Sequence, residues 1–183
     1  CTSVNEEIVH GMPSAKRKLK SGDIVSIDTG VQLNGYYGDS AITVPVGKVN
    51  GEVERLLDVT RGALEKAIDK ARAGNRLFDI CGTVEQHVVS NGFGIVREYV
   101  GHGIGTQLHE EPQVPNYVDR SNENPRLKEG MVLAIEPMVN AGGGETRVLS
   151  DRWTAVTKDG SCSAHFEHCV AITSNGPWVL TGP

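Results

Sequence analysis

The chain has 183 residues, 38% of them hydrophobic and 22% charged, with a net charge of -5. That size and balance describe an ordinary globular protein of one or two domains, and exclude collagen-like, low-complexity and disordered readings. No apolar run reaches the ~20 residues a membrane helix needs, no signal-peptide pattern opens the chain, and the negative balance offers no footprint for a nucleic acid.

In chain order, Cys1 to Gly11 reads as strand-like. A chain opening on Cys rather than Met points to a missing N-terminal segment. The basic cluster Lys16, Arg17, Lys18 and Lys20 reads as a solvated turn. Gly22 to Gly30 is an apolar run bounded by turn residues, and Asn34-Gly35 is a hairpin signal that returns the chain as a second strand over Tyr36 to Val44. Residues 51–73 carry Val53, Leu56, Leu57, Leu64, Ala67, Ile68 and Ala71 at three- and four-residue spacings, which predicts a helix. A second helix is expected from Asp79 as N-cap to a stop at Asn91-Gly92, with His87 on its flank. Short strands follow at Gly94–Val100, Gly130–Glu136, Arg152–Thr157 and Ala164–Thr173, around a long surface loop from Glu111 to Lys128. Strands, two helices, then strands predict an α+β domain on a largely antiparallel sheet. The four cysteines, Cys1, Cys81, Cys162 and Cys169, form no CxxC pair and read as free thiols in a reducing compartment.

The informative residues are acids and histidines placed where strands should be apolar. Asp28 closes Ile24-Val25-Ser26-Ile27, and the hairpin turn brings Asp39 roughly opposite it. Two carboxylates this close need a shared proton or a cation between them. Glu136 ends Met131 to Ile135 before Pro137, and Glu167 interrupts His165 to Ala171. His102 sits between two glycines, with His109 seven residues on and His10 after the first strand-like stretch. Taken singly, Asp28 is also a turn former, Glu136 an exposed strand end and His102 a loop residue. Gly101 to Thr106 fits neither a dinucleotide fingerprint nor a P-loop. Taken together, four acids and one imidazole form an oxygen-rich set suited to two divalent cations. Without them, so much buried charge would cost more than the fold could offset.

The segments CTSVNEEIVHGMP, SGDIVSIDTG, GYYGDSAIT, YVGHGIGTQLHEEP, GMVLAIEPM and SAHFEHCVAIT, in this order, resemble the type I methionine aminopeptidases of the M24 metallopeptidases. The resemblance implies the pita-bread fold, two pseudo-symmetric halves around a curved antiparallel sheet with helices on one side, as one catalytic domain over residues 1–183. It implies that Asp28, Asp39, His102, Glu136 and Glu167 bind two divalent ions, with Asp39 and Glu167 bridging, and Mn, Fe, Co or Zn as candidates. It further implies metal-activated water attack on the peptide bond after an N-terminal methionine, with Glu136 shuttling the proton, His109 polarising the carbonyl and His10 near the scissile amide.

The same resemblance carries further features. Cys1, His10, Leu108, His109 and Trp153 would contact the substrate, although Leu108 stands where an aromatic is expected. Asn5, Glu7 (through its backbone) and Ser163 match a monovalent-cation site. His165 replaces a glutamine usual beside the last glutamate. The expected partners are peptide and nascent-protein N-termini, with a ribosome association and a separate N-terminal fragment to be considered; membranes are not expected. A cytoplasmic monomer is expected. Rival readings are an aminopeptidase P or prolidase of the same fold, and a non-catalytic binding module.

Overall fold

The computed structural model describes residues 1–182. Its strands and helices, in order, are β1 (Thr2–Val4), β2 (Glu7–Val9), β3 (Ile24–Leu33), β4 (Tyr36–Pro45), α1 (Gly51–Ile68), α2 (Leu77–Ser90), β5 (Gly94–Ile95), β6 (Gly101–Gly103) and β7 (Glu110–Val114). They continue with β8 (Val132–Ile135), β9 (Met138–Asn140), β10 (Thr146–Val148), β11 (Ala155–Thr157), β12 (Ser163–His165), β13 (Glu167–Thr173) and β14 (Gly176–Val179). The main sheet runs β1-β3-β4-β13-β8-β6-β7, with β14 also paired to β13, and every pairing in it is antiparallel. Two three-stranded sheets, β10-β11-β2 and β12-β9-β5, complete the α+β architecture.

The hairpin β3–β4 sets the frame. Asn34 and Gly35 both have positive φ, 52° and 84°, as a two-residue turn matched to strand twist requires. That turn pairs Leu33 with Tyr36 and fixes every pair behind it down to Ile24 with Pro45. Asp28 therefore faces Ala41, and Asp39 faces Gly30. The two acids are diagonal neighbours on one face, so the expected rough opposition is met to within two residues of register.

Helix α1 starts where Asn50 accepts a hydrogen bond from the Val53 N–H at 2.9 Å. Its buried stripe, Val53, Leu56, Leu57, Ala63, Leu64 and Ala67, packs with α2 and with Leu133, Ile135, Val170 and Ile172 of the sheet. It ends at Ile68, five residues before the expected limit. There Lys70 and Ala71 donate tighter backbone hydrogen bonds, to Ala67 and Ile68, and Gly74 turns the chain at a φ of 93°. Asp79 is the third residue of α2 and not its N-cap: its Oδ2 reaches back to accept the Arg76 N–H at 2.7 Å.

The later strands are shorter than expected. Only Gly94 and Ile95 of the 94–100 stretch pair, and the 164–173 stretch divides at the buried Phe166 into β12 and β13. The expected Glu111–Lys128 loop contributes its start to β7, which pairs Gln113 with His102. Pro112 is tolerated there because β7 lies at the sheet edge.

Candidate metal centre

Register explains why the acids meet. Asp28 of β3 pairs with Ala41 of β4, which pairs with Glu167 of β13. Carrying the β13–β8 register one residue past His168–Ile135 brings Glu136 beside Glu167. The next row on the same face holds Gly30, Asp39, Cys169, Ala134 and His102. Two adjacent rows, with strands about 4.8 Å apart, thus gather four carboxylates and one imidazole. The residues between them are small: Gly30, Ala41, Ala134 and Cys169.

Ligand atoms of Asp39, His102 and Glu167 lie within 4.8 Å of one another, and all three residues are buried. Asp28 is half-buried, and the Glu136 side chain is 12% exposed. These groups line a cavity of about 350 Å³ together with His10, Tyr99, His109 and Trp153.

Several observations fit a cation. The His102 Nδ1 lies 2.8 Å from the Gly103 carbonyl oxygen and so carries the ring proton. Its Nε2 therefore presents a lone pair, yet it faces Glu136 Oε1 at 3.5 Å. Two electron-pair donors that face each other this way leave room for a positive ion between them. Glu167 Oε1 is buried without a hydrogen-bond partner. Without cations, burial first and then neighbouring carboxylates push these acids upward: Glu167 to about 9, Glu136 well above the ordinary carboxylate range, and Asp39 in the same direction. Burial lowers His102, which favours the neutral ring that a metal requires.

Around this centre, the His102 and His109 rings meet edge-on at 4.4 Å between centroids, and His109 is exposed. His10 stacks on Trp153 at 4.7 Å and meets the edge of Tyr99 at 5.6 Å. Its backbone holds a φ of 63°, an uncommon conformation for a residue with a side chain and one that recurs at functional sites.

The remaining expected positions lie farther from the chemistry. The exposed Cys1 flanks Asp28, whose carbonyl accepts from the Cys1 backbone nitrogen at 2.7 Å and whose N–H bonds the Cys1 carbonyl at 3.1 Å. A methyl group built on Gly30 would sit 3.5 Å from the Leu108 side chain, so Leu108 lies beside Asp39's row. Cys1 and Leu108 are neighbours of the cavity and do not line it. Asn5 accepts the Ser163 N–H on its carbonyl at 2.8 Å, and its side chain binds Asp23 and the Ile24 N–H; Glu7 accepts the Val4 N–H. Asn5 and Ser163 therefore adjoin.

Tyr99 escaped the sequence reading, and His165 entered it only as a replacement for the usual glutamine. Tyr99 lies in an irregular stretch with no periodicity to mark it. His165 is 2% exposed and faces Glu136 Oε2 at 3.5 Å. Its signal was spacing, since residues 165 and 167 straddle a buried phenylalanine.

The curled antiparallel sheet, its helices and the carboxylate–imidazole cluster define a pita-bread metallopeptidase. Residues 1–174 match metallopeptidase family M24, and the chain belongs to that family. It is 54% identical over 181 residues to methionine aminopeptidase 1 of Bacillus subtilis, covering 99% of this chain and 72% of that one. The crystal structure of methionine aminopeptidase from Thermotoga maritima superposes with a TM-score of 0.96 at 49% identity, covering 100% of this chain and 73% of that one. The prolidase of Pyrococcus horikoshii shares the fold with a TM-score of 0.75 at 24% identity, covering 99% of this chain and 47% of that one.

Proposed function

We propose that this chain is a metal-dependent aminopeptidase that removes methionine from the N-termini of peptides and nascent proteins. The observation that carries the reading is the meeting of Asp39, His102 and Glu167 in one cavity, their ligand atoms within 4.8 Å. The likeness to methionine aminopeptidases along nearly the whole chain supplies the substrate.

In this reading Asp28, Asp39, His102, Glu136 and Glu167 would hold the two divalent ions. Four carboxylates and one imidazole form a hard donor set that suits Mn(II), Fe(II) or Co(II), and also accepts Zn(II). Bound divalent ions supply Lewis acidity and a water acidic enough to attack near neutral pH. Glu136 takes the proton of the attacking water at Oε1 or Oε2 and returns it to the leaving amine. His109 donates to the scissile carbonyl oxygen as negative charge develops there. His10, held between Trp153 and Tyr99, hydrogen-bonds near the scissile amide. Asp28, less buried than Asp39, supplies negative charge where a free α-amine is recognised, which restricts cleavage to the terminal residue.

Trp153 bounds the methionine side chain within the cavity, with Cys1 and Leu108 beside it, and Asn5, Glu7 (through its backbone) and Ser163 hold a monovalent cation. The same reading has one catalytic domain working as a cytoplasmic monomer near the ribosome, where new N-termini emerge. No described helix is long and apolar enough to cross a membrane.

The test is turnover of Met-Ala-Ser against an Xaa-Pro peptide, with Co(II) or Mn(II) added. Release of free methionine is expected. Exclusive Xaa-Pro cleavage would replace the reading with a prolidase-like one.

A further inference from the structure

Glu136 is held from two sides. Its Oε1 lies 3.5 Å from His102 Nε2, and its Oε2 lies 3.5 Å from His165 Nε2. The two imidazoles differ in how they are committed. His102 has its Nδ1 proton on the Gly103 carbonyl, so its Nε2 is free to bind a cation. His165 is 2% exposed, and neither of its ring nitrogens has a hydrogen-bond partner.

An unpartnered imidazole in a buried site is costly unless it has a task. The backbone around it leaves little freedom to seek another partner. Thr43 Oγ1 donates to the His165 carbonyl at 2.7 Å and accepts the His165 N–H at 2.8 Å. Ser26 in turn bonds Thr43 Oγ1 at 2.8 Å. His165 is thus clamped at its main chain, and its ring is presented to a single carboxylate oxygen. A shift of a few tenths of an ångström converts the 3.5 Å approach into an N–H···O bond.

We propose that His165 is a positioning residue of the metal centre: its Nε2–H donates to Glu136 Oε2 and so keeps Glu136 Oε1 aimed at the cation position beside His102 Nε2. This is the outer-shell arrangement that orients ligating carboxylates elsewhere, built here from an imidazole. It rests on the metal-centre reading above.

The experiment is a Co(II) titration of the whole chain, followed by visible absorption and by competition with a chelator, on the parent, His165→Phe and His165→Gln. Phenylalanine keeps the ring volume and removes both nitrogens, whereas the glutamine amide retains a donor. His165→Phe is expected to weaken Co(II) binding by about 10–100-fold, the usual scale for losing an outer-shell partner, and to change the absorption bands. His165→Gln is expected to recover most of the affinity and the parent spectrum. Parent-like binding and spectrum in His165→Phe would overturn the proposal, as would His165→Gln being equally impaired. A parent chain that binds no Co(II) at all would instead overturn the metal centre itself.

Should His165→Phe fail to fold, the parent answers directly. Long-range ¹H–¹⁵N spectra of the metal-free chain are expected to show His165 protonated at Nε2; a proton on Nδ1 alone would overturn the assignment.

Discussion

Among individual side chains, Asp39 and Glu167 are the buried carboxylates of the cluster. Each is buried, and each is pushed upward by burial before any charge is counted. A carboxylate in that position must be neutralised by a proton or compensated by a cation, because an unpaired buried charge costs several kcal/mol. Replacing Asp39 or Glu167 with alanine should abolish turnover and lower the bound metal measured by elemental analysis; two ions retained per chain would contradict this. His109 is a different case, since it is exposed and meets the cluster at the edge of the His102 ring. His109→Ala should keep its metal and lose roughly 10²–10⁴ in kcat, the scale of acid–base and oxyanion groups. Unchanged kinetics would remove His109 from the chemistry.

At the level of elements, the sheet makes the site by register, and small residues make it hollow. Ala134 lies between Cys169 and His102, fully buried. Ala134→Leu should therefore cost about 1–3 kcal/mol of stability through overpacking and also weaken metal binding. Asn50→Ala, by contrast, removes the cap of α1 far from the acids. Its expected loss is about 0.5–2 kcal/mol by chemical denaturation, with metal affinity unchanged. If both variants lost metal equally, general instability rather than cavity filling would be at work.

The same elements indicate what the sequence could reveal. Asn34-Gly35 names its turn type, and a two-residue turn fixes the whole hairpin register, so the rough opposition of Asp28 and Asp39 could be read from the sequence to within two residues. Hydrophobicity could not say which face is inside. Ile27, Val31, Leu33 and Ile42 point outward and are exposed, while the acids lie on the opposite face. Strands of two or three residues, such as β5, β6, β9 and β12, are too short for alternation to register. The site was legible because its acids interrupt apolar runs. His165 was legible only as an oddity, because its role depends on contact with Glu136 and on burial, neither of which spacing conveys.

For the molecule as a whole, the cluster couples charge to folding. Glu167, Glu136 and Asp39 have folded-state pKa values raised above their unfolded values, Glu167 to about 9. Between the unfolded and folded values the folded state binds more protons than the unfolded one, so its stability falls as pH rises. The metal-free chain should therefore lose thermal stability between about pH 5 and pH 8. Divalent metal should reverse the trend, since it binds the deprotonated carboxylates of the folded form. A metal-free Tm that rises across that range would argue against buried, mutually repelling acids.

Anomalous diffraction from crystals of the metal-loaded chain, collected at the absorption edge of Mn or Co, tests the centre most directly. Two peaks are expected in the cavity, with Asp39 and Glu167 touching both, Asp28 beside one and His102 with Glu136 beside the other. Peaks elsewhere on the molecule, or none among these five side chains, would contradict the metallopeptidase centre described above.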